Sequence, residues 1–188
     1  MARSPRTDAK FRRIYDGHFV AIRSYCLRRL PTSEVNDAVA EVFLVVWRRI
    51  DDVPDGDEAP LWLYGIARNV VRNVDRSARR RDRLSGRLRP FRPPSSPDPE
   101  TVVIRRSEDD EVLAALAQLR PADQEILRLS IWEELSNTEI AEVLGIEAHA
   151  VTMRLSRARN RLAGRLGMDK VRQNTWADPQ PVGEGGEQ

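Results

Sequence analysis

One cysteine and two histidines are all that 188 residues offer to covalent cross-linking or soft-metal chemistry. Cys26 alone excludes an intramolecular disulfide framework and an all-cysteine metal site, and His18 and His149 leave zinc almost without ligands. No metal and no cofactor is therefore expected. Glycine-rich phosphate loops, Cys/His pairs and nucleophile elbows are missing. The acid pairs Asp51-Asp52 and Asp109-Asp110 fit loop and helix-start charges better than a catalytic dyad, so no catalytic residue is assigned and the chain is not expected to be an enzyme. There is no signal-peptide pattern and no apolar run near 18 residues, which predicts a soluble cytoplasmic protein without membrane insertion. Alternating β-branched runs bounded by turns are also lacking, which excludes a β-rich fold. Lysine is scarce: only Lys10 and Lys170 among 31 basic residues, a bias that fits a GC-rich genome more than a function.

What is present is arginine, helix periodicity and segregated charge. Residues 68–92 carry ten Arg and two Asp, net +8. Residues 98–147 carry thirteen acids and four Arg, net −9, and residues 148–172 return to +6. Two basic patches flanking an acidic block point to two contacts with one polyanion; the plainer alternative is a pair of solvated helix faces.

Helical spacing organises the chain. A first helix is predicted over about 8–30, with Phe11, Ile14, Tyr15, Phe19, Ile22, Tyr25 and Cys26 recurring on one face and Pro31 ending it. A second spans about 33–50, capped by Ser33, with Val35, Ala38, Val39, Val42, Phe43, Val46, Trp47 and Ile50 as its apolar face. Residues 51–60 form an acidic loop broken by Pro54, Gly56 and Pro60. A third helix covers about 60–83 and buries Leu63, Ile66, Ala67, Val70, Val71 and Val74. Five prolines between 90 and 99 make 84–107 a linker that joins separable domains, and the tail 167–188 is expected to be disordered. Between them, residues 108–166 hold further helices, one opened by Pro121 at its first position. The fold class is all-α: two small helical domains joined by a Pro-rich linker.

The C-terminal domain carries the clearest motif, residues 136–162. Ser136 or Asn137 caps a short helix, with Glu139 at capping-box distance from Ser136. Gly145 supplies the turn, and Val151, Leu155, Ala158 and Leu162 form one buried stripe on the next helix. Arg154, Arg157, Arg159, Arg161 and Arg165 take the rest of its surface. This is the helix-turn-helix pattern, whose second helix enters the DNA major groove; a helical hairpin with a solvated basic face is the alternative. The third helix is the second informative element. Trp62 and Tyr64 at its start fit core packing better than base stacking, while Asn69 and Asn73 lie four apart, away from the apolar stripe. Amides beside arginines suit single-stranded nucleic acid.

Three stretches together resemble the extracytoplasmic-function sigma factors, the two-domain group of the sigma-70 family. They are Asp37 to Trp47 (DAVAEVFLVVW), Trp62 to Asn69 (WLYGIARN) and the helix pair ending Arg154-Leu155-Ser156-Arg157-Ala158-Arg159, in the family's order across about 8–166. The resemblance implies that residues 8–83 bind the RNA polymerase core and the −10 promoter element. The second helix would dock on the β' clamp coiled coil through Asp37, Glu41, Arg48 and Arg49. Loop 51–60 would capture a flipped base, with Asn69, Asn73, Arg76, Arg79 and Arg80 on the opened strand. Residues 108–166 would bind the −35 duplex through His149, Thr152, Met153, Arg154 and Arg157. The chain departs from the family where a basic residue and a serine usually stand, here Thr152 and Met153, and Glu147 near the helix start repels phosphate. An anti-sigma protein is a further implied partner. Two other functions stay open: a helix-turn-helix regulator acting without core polymerase, and a sigma-like decoy held by an anti-sigma protein.

Overall fold

The computed structural model describes residues 5–56, 58–84 and 106–167; most of the expected linker and tail lie outside them. Seven α-helices and one 3-10 turn make up the described residues, with no strand among them: α1 (Pro5–Leu27), α2 (Thr32–Arg48), the turn Ile50–Asp52, α3 (Glu58–Leu84), α4 (Arg106–Ala117), α5 (Pro121–Ile131), α6 (Asn137–Leu144) and α7 (Ala148–Arg165).

In the first half, α1, α2 and α3 pack on one another through the faces the sequence marks. Ile22, Tyr25, Val35, Val42, Val46, Leu63 and Ala67 are buried at their common centre. Phe11, Tyr15 and Phe19, one turn apart on α1, meet Phe43 and Trp47 of α2, with ring centroids 4.7 Å (Tyr15–Phe43) and 5.1 Å (Phe11–Trp47) apart. Two start positions differ from expectation. Pro31, not Ser33, is the N-cap of α2: its backbone (φ −56°, ψ 142°) already sits where a cap residue must, so the helix begins at Thr32 with no side-chain cap. α3 begins at Glu58, because Pro60 falls in the first turn, where its missing N–H has no intrahelical acceptor to lose.

In the second half, the capping box forms as the spacing requires. Glu139 N–H donates to Ser136 Oγ (3.3 Å), and Ser136 N–H donates to Glu139 Oε2 (2.7 Å). Gly145 ends α6 in the left-handed region (φ 66°), where a side chain would be strained. Val151, Leu155 and Ala158 are fully buried against α5 and α6, with Leu162 half-buried behind them. Buried Gln124 donates to the carbonyls of Ala117 (3.1 Å) and Leu119 (2.9 Å), closing the end of α4 onto α5.

The two halves are packed together. α3 lies on α6, and one continuous apolar core runs through both halves. A polar clasp crosses the join. Arg29, 2% exposed, donates to Glu125 Oε2 (2.9 Å) and to Glu133 Oε1 (3.0 Å) and lies 3.5 Å over the Tyr25 ring. Arg28 donates to Glu133 Oε1 (2.8 Å), and Tyr25 Oη donates to Glu125 Oε1 (2.8 Å). Glu133 is fully enclosed; Glu134 beside it turns the chain in the left-handed region at φ 55°. Burial alone would raise the pKa of Glu125, but adjacent Arg29 and the hydrogen bonds from Arg29 and Tyr25 hold it below the ordinary value.

Candidate nucleic-acid and polymerase interface

α2 presents Asp37, Glu41 and Arg48 on one exposed strip, at i, i+4 and i+11. Leu44, at i+7, lies on the same strip and is 40% exposed, an apolar residue that a search for charge alone overlooks. Arg49 departs from this strip. One residue on, it is rotated a quarter-turn, donates to Asp52 Oδ2 (2.8 Å) and lies 5.3 Å from the Trp62 ring. It therefore stands over the start of α3, on the groove wall that also carries Asp37 and Glu41.

The groove between α2 and α3 is lined on one wall by Glu34, Asp37, Glu41 and Arg49 and on the other by Asn69, Asn73, Ser77 and Arg81. Asn69 and Asn73 thus face carboxylates across about 640 Å³. Arg76, Arg79 and Arg80 are further along α3, where Arg76 and Arg80 are exposed and Arg79 faces the join between the halves. The loop before α3 is held at Val53, which is buried and whose carbonyl accepts from Lys10 Nζ (3.0 Å); Lys10 also pairs with Asp55 at 3.8 Å. Trp62 and Tyr64 are half-buried against the core, with Tyr64 5.5 Å from the Tyr25 ring, in line with packing.

On α7, His149, Thr152, Met153, Arg154 and Arg157 all lie on the exposed side of the helix. Thr152 is partly committed: its hydroxyl accepts from Asn137 Nδ2 (3.2 Å) and donates to the Ala148 carbonyl (3.3 Å), tying the helix pair together. Ser156 and Asn160 continue the row of His149 and Met153 and are exposed, a continuation visible in the i, i+4, i+7, i+11 spacing. The other arginines of α7 brace the fold. Arg161 pairs with Asp123 at 2.6 Å, Arg165 donates to Gln118, and Arg159 reaches Ser130 at 3.4 Å. Of the five arginines that the sequence put on the helix surface, Arg154 and Arg157 are the two that do not brace a neighbouring helix in this way.

A helix-turn-helix and an amide-bearing helix beside an exposed polar strip make up a two-part helical protein. Residues 14–83 match the family Sigma-70 region 2, and residues 109–162 match Sigma-70, region 4. The chain is 31% identical over 147 residues to the RNA polymerase sigma factor CnrH of Cupriavidus metallidurans, covering 74% of this chain and 77% of that protein. It is 30% identical over 150 residues to the ECF RNA polymerase sigma factor SigL of Mycobacterium tuberculosis, covering 78% and 83%. It belongs to the extracytoplasmic-function group of the sigma-70 family. Among solved structures, CnrH in complex with the cytosolic domain of CnrY matches at 25% identity with a TM-score of 0.60, covering 85% of this chain and 88% of that one. The sigma factor RpoE in complex with the anti-sigma factor NepR, from Bartonella quintana, shares the fold at 22% identity with a TM-score of 0.71, covering 85% and 98%. No described helix is long and apolar enough to cross a membrane.

Proposed function

We propose that this protein joins core RNA polymerase in the cytoplasm, directs it to a promoter and opens the strands there, acting by binding and not by catalysis. Residues 8–83 take the polymerase clamp and the −10 element, and residues 108–166 take the −35 duplex. The observation that carries the reading is the division of labour between two polar surfaces on one chain. The groove holding Asn69 and Asn73 has carboxylates and Arg49 on its far wall, donors and acceptors that can hydrogen-bond a base edge. It therefore suits an extruded base, whose flipping costs a few kcal/mol. The exposed row of α7 has no aromatic residue and offers groove and phosphate contacts to intact duplex.

The closed arrangement is a resting state. Elements at −10 and −35 lie about 25 base pairs apart, roughly 85 Å of duplex. α3 is about 40 Å long and α7 about 27 Å, and α3 packs on α6 next to α7. Both surfaces cannot reach their elements until the clasp opens. The 21 residues between α3 and α4 span at most roughly 75 Å when extended, enough to let the halves separate. A partner related to CnrY or NepR would act by holding the closed form.

Run-off transcription with core polymerase tests this. Asn69→Ala should reduce permanganate reactivity of unpaired thymines while closed-complex binding persists. Arg154→Ala and Arg157→Ala should weaken closed-complex binding, with the log–log salt slope falling by about one for each phosphate no longer engaged. Tight operator-like binding by the free protein, unchanged by core polymerase, would favour a regulator that works alone.

A further inference from the structure

A second cleft, of about 690 Å³, opens between the halves on the flank of α3 opposite the asparagine groove. Arg68, Arg72 and Arg79 stand in one row along α3, at i, i+4 and i+11, and face Arg128 of α5 across it. None of the four is ion-paired to a described carboxylate; Arg128 donates only to Gln124 Oε1 (3.1 Å). Asp75 is the one acid within the arginine row. Glu125 also lines the cleft, where it pairs with Arg29 and attracts Arg128 more weakly. Burial, and then Arg29, push the pKa of the Arg128 guanidinium down to about 10 against the attraction of Glu125 and Glu133, which marks a dehydrated wall. The first turns of α2 (Thr32, Ser33) and α5 (Pro121, Ala122) also line the cleft, and neither helix has a side-chain cap. Helix starts add partial positive charge to the same space.

We propose that this cleft binds a compact polyphosphate ligand, one with two or more adjacent phosphate groups, between the two halves. Four guanidiniums around a volume of nucleotide size match clustered charge better than an extended acidic peptide. Docking and promoter contacts use other faces of α2, α3 and α7, so apart from Arg79 this row has no part in them. The walls come from both halves, so an occupant favours the closed arrangement and opposes promoter binding.

Calorimetric titration of the full-length protein with pyrophosphate, tripolyphosphate and nucleoside triphosphates tests the site directly, without polymerase or promoter. Saturable sub-millimolar binding of tripolyphosphate is expected, with a rise in Tm by linkage. Arg72→Gln and Arg128→Gln should each weaken it at least about tenfold, while Arg23→Gln, on exposed α1 surface, should not. If Arg128→Gln fails to fold, exposed Arg72 carries the comparison. Tighter binding of nucleoside triphosphates would make the ligand a nucleotide; equal binding would make the phosphate chain the determinant, and both support the proposal. Absence of saturable binding, equal weakening by Arg23→Gln, or displacement by an acidic peptide or a single-stranded oligonucleotide at lower concentration than tripolyphosphate would overturn it.

Discussion

Replacing Arg29 by methionine removes the guanidinium that Glu125 and Glu133 share, and keeps a side chain of similar length. Both carboxylates stay where they are, 19% and 0% exposed. Arg28 still reaches Glu133 and Tyr25 still donates to Glu125, so the loss is partial. Removing one partner of a buried pair costs about 3–5 kcal/mol, and the remaining hydrogen bonds place this one near ~3. That shifts the balance between closed and open forms about a hundredfold. A compact chain of this length has a radius of gyration of about 16 Å; small-angle scattering of Arg29→Met should give a larger value than wild type, and protease should cut within residues 84–107 faster. Adding Glu125→Leu, Glu133→Leu, Tyr25→Phe and Arg28→Met should restore closure, because the donors that served the two carboxylates are removed with them. Wild-type scattering and proteolysis from Arg29→Met would refute the view that the clasp holds the halves together.

Acid should act on the same clasp. The pKa of Glu125 is lowered in the folded chain, so its stabilisation is complete above the ordinary carboxyl value of 4.5 and is lost as pH falls through the lower folded value; Glu125→Gln should flatten that part of the Tm-against-pH curve, and an identical slope would refute it. Glu134→Gly should raise stability by about 0.5–1 kcal/mol in urea unfolding, since relief of left-handed strain exceeds the added chain entropy. Lys10→Met should free the loop at Val53 and lower strand opening with duplex binding intact; equal loss of both would make Lys10 a general stabiliser.

Local chemistry was legible in the sequence and distant pairing was not. Ser136, Glu139 and Gly145 declare the ends of α6 because a cap needs only near neighbours. The apolar faces of α1 to α3 follow from their periodicity, and Trp62 and Tyr64 pack as their spacing suggested. Arg28 and Arg29 gave no such signal: their partners lie about a hundred residues away. The same limit hid the bracing roles of Arg161 and Arg165, since charge on a helix surface does not tell solvent from a neighbouring helix. Nor did the sequence show that Arg49 would bond Asp52 and lie over Trp62, because its direction depends on the turn after α2.

Under the proposed opening, the shared core and its clasp also set how much of the protein is competent at any moment. If closure is favoured by about 3 kcal/mol, roughly 1% of free molecules are open. The apparent dissociation constant for promoter is then about a hundredfold above its intrinsic value, although the recognition helix is fully formed. Doubling the amount of protein in a cell doubles the number of open molecules but leaves their fraction unchanged. A polymerase surface that captures the open form converts the whole population, so output follows access to polymerase more steeply than it follows abundance.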